Sequence, residues 1–265
     1  FMDCDYYYNL DAKKTIDFIQ NETELTNRKS KVTINRKTGK RIAAIIPVHV
    51  WGNAALLDEL IPLCQERNIA VVEDASESLG SFYKKGKYKG KHTGTIGKLG
   101  CLSFNGNKII TTGGGGMILT DDQELADKAR YLTTQAKDDP VCYIHNEIGY
   151  NYRLTNIQAA LGVAQLEQLP NFLDRKREIF SKYQAALENI DGLNLSGVPD
   201  YAINNHWMNL LQIENKVYGE DRKTLMQRLK ENDIQTRPVW ALNHLQKPYR
   251  DYQSYKIEKA EEMVK

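Results

Sequence analysis

The fold is decided by residues 69–75, which read Ile-Ala-Val-Val-Glu-Asp-Ala, an apolar run that ends in two carboxylates. Such a run is typical of a strand buried on both faces of a parallel sheet. An apolar strand at 41–50 and an amphipathic helix at 54–68 precede it. This alternation predicts a parallel, right-handed α/β unit that is covered by helices. Ligands bind such sheets at the carboxyl ends of the strands, where Glu73 and Asp74 lie.

These two carboxylates are expected to play different parts, because adjacent strand residues point to opposite faces of a sheet. We predict that Asp74, rather than Glu73, faces the ligand. A buried aspartate without a partner is energetically costly, so we expect a ligand group beside Asp74 that pairs with it. His49 lies at the end of the preceding strand and is expected to shape the turn there rather than to take part in chemistry.

A second marked stretch is residues 101–112, Cys-Leu-Ser-Phe-Asn-Gly-Asn-Lys-Ile-Ile-Thr-Thr. It predicts a strand, a turn that carries Lys108, and a second strand. A lone loop lysine is usually a surface charge, but the flanks of Lys108 are apolar and Ser103 lies five residues earlier. A lysine and an aspartate at adjacent strand ends suit pyridoxal phosphate, which needs an amine for its Schiff base and a carboxylate for its ring nitrogen. The Ser103 hydroxyl is a candidate for binding the cofactor phosphate.

The glycine-rich stretches do not match nucleotide-binding motifs. Gly94, Gly97 and Gly100 lack the GxGxxG spacing, and the four glycines at 113–116 are followed by Met-Ile rather than by the Lys-Ser/Thr of a P-loop. We interpret the four glycines as a tight turn beside a crowded site, where the backbone passes close to a ligand or to another strand.

Composition indicates a soluble globular protein of 265 residues with a net charge of +2, 26% charged and 41% hydrophobic residues. The near balance of charge gives no reason to expect nucleic acid, and the basic cluster at 84–91 is interpreted as a solvated hairpin. No apolar run has the length of a membrane span, and the four cysteines lack metal-ligand spacing. We therefore expect a cytoplasmic protein with free thiols, no metal and no membrane partner.

The rest of the pattern predicts two domains, residues 1–154 and a smaller α+β domain at 155–265, with the boundary within a long helix. The other predicted elements are a helix at 11–20 capped by Asp11, a loop at 26–40, a helix at 121–136, a helix at 155–190 broken near Pro170, a strand at 206–213, a helix at 221–232 and a strand at 234–239. The chain opens at Phe1 and stops inside a helical pattern, so we expect a piece of a longer protein.

Four motifs resemble those of a known family, in the same order along the chain. They are residues 47–52 (PVHVWG), 72–80 (VEDASESLG), 103–108 (SFNGNK) and 149–162 (GYNYRLTNIQAALG). Together they resemble the DegT/DnrJ/EryC1/StrS aminotransferases, and the resemblance covers essentially the whole chain. It implies a fold-type-I pyridoxal-phosphate enzyme, aspartate aminotransferase-like, with a mostly parallel sheet flanked by helices, plus the smaller α+β domain.

The resemblance also implies roles by position. Lys108 would bind the cofactor covalently and then move protons, and Asp74 would pair with the ring nitrogen. Glu77 would lie near the ring hydroxyl, and Ser103 would bind the phosphate. Asn151 would reach the phosphate of the neighbouring subunit's cofactor, because the family forms homodimers with shared sites.

For Arg153, a part in that site and a structural ion pair with a carboxylate are equally good interpretations. The family's N-terminal phosphate cup and its ring-stacking aromatic residue do not appear in this chain. We therefore expect the 265-residue chain alone to be inactive.

The implied reaction moves an amino group from glutamate to C4 of a nucleotide-linked 4-keto-6-deoxy sugar for surface glycans. The loop that carries Lys108 is most similar to the branch that makes 4-amino sugars for bacillosamine or legionaminic acid. One alternative is a sugar dehydratase of the same fold, but such members carry histidine in place of the lysine. The other is a non-catalytic sugar-nucleotide-binding or regulatory protein, and the joint presence of Lys108, Asp74 and Ser103 argues against it.

Overall fold

The computed structural model describes residues 1–26 and 31–265. Its helices, numbered in chain order, are α1 (Ala12–Asn21), α2 (Leu60–Glu66), α3 (Gln123–Thr133), α4 (Asn156–Glu167), α5 (Leu169–Leu187), α6 (Asn215–Tyr218), α7 (Arg222–Glu231) and α8 (Glu258–Met263). Its strands are β1 (Thr23–Leu25), β2 (Thr33–Asn35), β3 (Ala44–Ile45), β4 (Ala70–Asp74), β5 (Phe82–Tyr83), β6 (Leu99–Ser103), β7 (Gly116–Leu119), β8 (Leu193–Leu195), β9 (Ala202–Ile203) and β10 (Leu211–Ile213).

The main sheet has four strands in the order β3-β4-β6-β7. β3 and β6 run parallel to β4, whereas β7 runs antiparallel to β6. This arrangement confirms the predicted α/β sheet with mostly parallel strands. The core beside it holds Leu57, Leu60, Val71 and Tyr83, all almost completely buried. The core therefore packs against one face of β4.

The strand predicted directly after Lys108 is wrong, because the chain first loops back before β7 begins at Gly116. The backbone N–H of Thr112 donates to the carbonyl of Phe104 at 3.0 Å, which closes a loop around Lys108. Gly113 and Gly115 then adopt φ of 78° and 85°, a region that favours glycine. At Gly116 a Cβ would lie 2.3 Å from the carbonyl oxygen of Leu102. The glycines thus form the tight turn that the sequence predicts.

The helix predicted at 54–68 is shortened to α2, which begins at Leu60. Distant side chains take the carbonyls that would accept its first hydrogen bonds. Asn9 Nδ2 donates to the carbonyl of Ala54 at 3.0 Å, and the Tyr83 hydroxyl donates to that of Ala55 at 2.8 Å. Ala54, Ala55 and Leu57 are consequently buried outside the helix, whereas Leu56 is exposed.

Two more predictions near the N-terminus need correction. The predicted loop at 26–40 contains β2, which forms an antiparallel hairpin with β1, and residues 27–30 of that loop lie outside the described residues. The strand predicted at 41–50 is reduced to β3, with an isolated bridge between Val48 and Asp74. The helix at 11–20 is confirmed as α1, and the Asp11 side chain caps it by accepting from the Lys14 N–H.

In residues 155–265 the helices agree with prediction better than the strands. The long helix is divided into α4 and α5, and Pro170 lies in the first turn of α5. α3 and α7 confirm the helices predicted at 121–136 and 221–232.

The strand predicted at 206–213 is shortened to β10, which pairs with the unpredicted β8. His206 has a φ of 51°, which is incompatible with an extended start to that strand. The strand predicted at 234–239 is wrong, since this segment pairs with no other strand among the described residues.

None of the helices in the described ranges, 1–26 and 31–265, is long and apolar enough to cross a membrane. All four cysteines are free thiols, as predicted.

Candidate functional site

The candidate site lies at the carboxyl edge of the main sheet. Asp74 ends β4 and is paired with Cys101 of β6, while Ser103 ends β6 two residues further on. Because side chains of paired residues share a face and the strand period is two, Asp74 and Ser103 lie on the same face of the sheet. The register therefore brings two of the predicted residues to one edge.

Lys108 enters the same region from the loop after β6. Its side chain is only 14% exposed, and its Nζ lies 3.8 Å from Glu77 Oε1. Together with Ser103, these two residues line a small cleft, whose walls also include Ser76, Leu79, Ile109 and Ile110. The structure thus brings together the amine, one carboxylate and the hydroxyl that the sequence predicts.

Glu77 is held from two directions. The backbone N–H of Trp51 donates to Oε2 at 2.8 Å, and Lys108 lies beside Oε1. Burial raises the pKa of Glu77, and this effect outweighs the opposing influence of the Trp51 hydrogen bond and of Lys108. Glu77 is therefore a carboxyl that binds a proton more readily than an exposed glutamate does.

The neighbouring carboxylate, Glu73, faces away from this cleft into the protein. It is fully buried, and its oxygens accept from His49 Nε2 at 2.8 Å and from three backbone N–H groups. These belong to Gly94 at 2.8 Å, and to Ile96 and Gly97 at 2.6 Å each. Burial raises the pKa of Glu73, but the hydrogen bonds from His49, Gly97 and Gly94 outweigh it and hold the pKa below its usual range.

His49 joins this network to the turn after β3. Its Nδ1 accepts from the backbone N–H of Ala55 at 3.0 Å, so Nε2 carries the proton that is donated to Glu73. Its backbone N–H also donates to the carbonyl of Asp74 at 3.0 Å. His49 therefore shapes the strand end, as the sequence predicts.

Asp74 lies on the opposite face, and within the described ranges its side chain makes a single hydrogen bond. Its Oδ1 accepts the N–H of Ser76 at 3.1 Å, and its side chain is half-buried. The opposite directions of Glu73 and Asp74 follow the strand alternation on which the choice of Asp74 was based.

Two residues of the site escaped prediction, Asn205 and Trp207. The Nζ of Lys108 lies 4.2 Å from the centre of the Trp207 ring, and the indole Nε1 donates to the carbonyl of Asn107 at 2.6 Å. Buried Asn205 donates from Nδ2 to the carbonyls of Glu77 at 2.8 Å and Leu79 at 2.9 Å. The one sequence signal for this contact was Trp207 itself, because a buried indole N–H needs a hydrogen-bond acceptor elsewhere in the protein.

Asn151 lies outside the cleft. It forms an isolated antiparallel bridge with Thr134, and its side chain makes no hydrogen bond among the described residues. The nearby Arg153 is exposed and pairs with no carboxylate in the described part of the chain, so the ion pair considered for it is absent there. The predicted role of Asn151 in a neighbouring subunit stays a prediction.

The cleft fits pyridoxal phosphate in the chemistry of its donors. The amine of Lys108 is enclosed but reaches the cleft, which Ser103 also lines. Asp74 does not line the cleft itself but lies at the strand end, on the same face of the sheet as Ser103. None of the three side chains is committed to the dense network around Glu73. An amine, a carboxylate and a hydroxyl at the carboxyl edge of an α/β sheet are the donor types that pyridoxal phosphate needs.

Sequence comparison identifies the family. A model of the DegT/DnrJ/EryC1/StrS aminotransferase family matches residues 13–265, and the chain belongs to this family. It is 43% identical over 213 residues to EpsN of Bacillus subtilis (strain 168), which is provisionally named a pyridoxal phosphate-dependent aminotransferase; this match covers 80% of the chain and 52% of EpsN. It is 36% identical over 241 residues to the GDP-perosamine synthase of Escherichia coli O157:H7, covering 91% of the chain and 63% of that enzyme. The chain thus spans between half and two thirds of these relatives.

Solved structures agree on the fold. An aminotransferase of the same family from Brucella abortus superposes with a TM-score of 0.83 at 24% identity, covering all of this chain and 65% of that one. The E. coli GDP-4-keto-6-deoxy-D-mannose-3-dehydratase with bound hydrated pyridoxal phosphate gives 0.80 at 23% identity, covering 100% of this chain and 67% of that one. At these identities the likeness shows the fold alone. The family and the named cofactor of EpsN confirm the prediction of pyridoxal phosphate.

Proposed function

We propose that the protein containing this chain is an aminotransferase that moves an amino group from glutamate to C4 of a nucleotide-linked 4-keto-6-deoxy sugar. The observation that carries this proposal is the enclosed Lys108 amine in one cleft with Glu77 and Ser103. The similarity to a GDP-perosamine synthase supports a nucleotide sugar as the amino acceptor. The product would be an amino sugar for a surface polysaccharide, and the enzyme would work in the cytoplasm.

Pyridoxal phosphate, when bound, supplies an electron sink for the carbon that gains or loses the amine. Lys108 would hold the cofactor and then move a proton at the reacting carbon with its Nζ. Asp74 would keep the ring nitrogen protonated, since its carboxylate is free on the cofactor face. Ser103 would bind the phosphate, and Glu77, with its raised pKa, would hydrogen-bond near the ring hydroxyl.

Lys108 distinguishes the proposed aminotransferase from the alternative, a sugar dehydratase. The fold is shared with a GDP-4-keto-6-deoxy-D-mannose-3-dehydratase, so the fold does not decide between the two reactions. Members that dehydrate carry histidine at the position of the lysine, whereas this chain has Lys108. Lysine favours amino transfer, because its amine both binds the cofactor and moves protons.

A homodimer with shared sites is part of the proposal. The surface around Asn151 exposes large apolar side chains, among them Ile148 (82% exposed) and Ile157 (84% exposed). α4 has no buried residue in the described chain and leaves Val163 exposed as well. Apolar surface of this extent indicates a protein contact, and a second copy of the chain would cover it while placing Asn151 at the partner's site.

The proposal is tested with the full-length protein, pyridoxal phosphate, [15N]glutamate and 4-keto-6-deoxy sugars linked to GDP, UDP or dTDP. Mass spectrometry should detect 15N in one of the sugars, and NMR should place it at C4. Lys108→Ala should abolish the transfer, whereas the exposed-lysine control Lys13→Ala should not change it. A folded, cofactor-loaded protein that labels none of these sugars would refute the proposal. Loss of a sugar hydroxyl without gain of nitrogen would indicate the dehydratase instead.

A further inference from the structure

Trp207 lies against the residue on which the proposed chemistry depends, although the two are 99 positions apart in sequence. Its ring is almost completely buried, and the Lys108 Nζ lies 4.2 Å from the ring centre. A cation within about 6 Å of an indole ring centre is attracted by the negative electrostatic potential of the ring face. The lysine nitrogen therefore has a fixed partner on the side facing the protein.

The same indole also holds the loop that carries Lys108. Its Nε1–H donates to the carbonyl of Asn107 at 2.6 Å, and Lys108 in turn donates its backbone N–H to Asn105 at 3.0 Å. One side chain thus makes two separate contacts, one with the amine and one with the backbone next to it.

Trp207 is itself fixed by Asn205, which reaches the other side of the cleft. The Trp207 backbone N–H donates to Asn205 Oδ1 at 2.9 Å, while Asn205 Nδ2 donates to the carbonyl of Glu77 at 2.8 Å. β9, directly before this segment, pairs with β5 in a separate two-stranded sheet and so places the segment beside the chain that follows β4. Residues 205–207 therefore contact both Lys108 and the residue that lies 3.8 Å from its Nζ.

We propose that residues 205–207 form a positioning clip, in which Trp207 directs the Lys108 amine into the cleft and Asn205 holds Glu77 at a fixed separation from it. The clip belongs to the C-terminal part of the chain, whereas Lys108 and Glu77 belong to the N-terminal part. It makes the placement of the amine depend on the packing of both parts. The proposal rests on the role of Lys108 as the amine that holds the cofactor. Its test, however, measures the reactivity of that amine in cofactor-free protein and needs no turnover.

The test compares Trp207→Leu and Trp207→Phe in the full-length, cofactor-free protein. The control is Trp240→Phe, which changes an exposed tryptophan that packs on Trp51. Trace acetylation is followed by mass spectrometry at residue 108 and normalised to the exposed Lys13. Hydrogen exchange of the amides at 105–108 is measured on the same samples, after circular dichroism shows that each variant is folded.

Removing the aromatic face should raise acetylation of Lys108 between about twofold and thirtyfold, the range that cation–π strengths imply. Trp207→Phe keeps an aromatic face, so its increase should be less than half of that in Trp207→Leu. Both variants lose the indole N–H, so both should exchange the 105–108 amides faster. A purely structural tryptophan would instead change both readouts in parallel with the loss of stability.

A folded Trp207→Leu variant with unchanged Lys108 acetylation would overturn the proposal. If this variant does not fold, Lys108→Met provides the reciprocal test, because the indole N–H resonance of Trp207 should shift more than those of Trp51 and Trp240. An unshifted Trp207 resonance would overturn the proposal equally. Either result would leave the aminotransferase proposal standing, since 15N transfer from glutamate is measured separately.

Discussion

Glu73→Gln should lower the free energy of unfolding of the protein while leaving the groups that face the cofactor chemically intact. The Glu73 carboxylate accepts four hydrogen bonds, from His49 Nε2 and from the N–H groups of Gly94, Ile96 and Gly97. A glutamine replaces one oxygen with an N–H donor. If the amide nitrogen takes the place of Oε1, it meets the N–H groups of Ile96 and Gly97. If it takes the place of Oε2, it meets the N–H groups of Gly94 and His49.

At least two buried donors lose their acceptor in either orientation. His49 cannot adapt by changing its tautomer, because its Nδ1 must stay unprotonated to accept from Ala55. Each unsatisfied buried group costs about 1–3 kcal/mol, so the free energy of unfolding should fall by roughly 2–6 kcal/mol. For a protein of this size that lowers Tm by at least about 4 °C.

The matched control is Asp74→Asn, which removes a carboxylate from the adjacent residue. Asp74 accepts a single hydrogen bond from Ser76, so its loss should cost no more than about 1 kcal/mol. Asp74→Asn should nevertheless lose most amino transfer, because an amide does not keep the ring nitrogen protonated as a carboxylate does. Urea melts and 15N transfer measured on both variants separate the two effects. A stable Glu73→Gln with no activity, beside a mild Asp74→Asn, would show that the wrong carboxylate was assigned to the cofactor.

The pH dependence gives an independent check on Glu73. Its pKa is lower in the folded protein than the ordinary value of 4.5, so its stabilisation is fully present above that value and is lost as pH falls through the folded pKa. The difference in stability between the wild type and Glu73→Gln should therefore shrink below about pH 4.5. A difference that grows on acidification would contradict the network described here.

Three further predictions concern the site and its assembly. Lys108→Ala in the full-length protein should lose the covalent retention of pyridoxal phosphate by the protein after borohydride reduction, and retention at the wild-type level would show that another amine holds the cofactor. Asn151→Ala and Lys108→Ala should each inactivate homodimers, but mixing them under subunit exchange should restore part of the activity, since one mixed site contains both defects and the other none. If mass spectrometry shows mixed dimers that stay inactive, Asn151 does not act across the interface. Gly52→Ala should destabilise the protein by more than about 1 kcal/mol, because Gly52 has a φ of 85° and a Cβ would lie 2.0 Å from Asn205 Oδ1, and an unchanged melting temperature would contradict this.

The sequence predicted the parts of the site that local pattern determines. β4 is an uninterrupted apolar run, so both its existence and the opposite faces of its two terminal carboxylates follow from a period of two. The capped helix α1 was predicted for a similar reason, because Asp11 precedes a helical pattern and accepts from its first turn.

The errors have a common physical cause in partners that are far away in sequence. Nothing near Ala54 and Ala55 announces that Asn9 and Tyr83 will take their carbonyls and delay α2 to Leu60. The helical periodicity of that segment is real, but tertiary hydrogen bonds override it.

The same reasoning explains why Trp207 was assigned to a strand and missed as a part of the site. Its partners, Asn107 and Lys108, lie about a hundred positions earlier, and the pairing of β9 with β5 and the hydrogen bonds of Asn205 bring them together. Glu77 shows what this convergence achieves. Its Oε2 is fixed by Trp51 after β3, its Oε1 faces Lys108 after β6, and its carbonyl is held by Asn205 after β9. Three segments that are far apart in sequence thus fix the Glu77 carboxyl beside the Lys108 amine. Motifs name those two groups, but their separation of 3.8 Å is set by packing between distant parts of the chain.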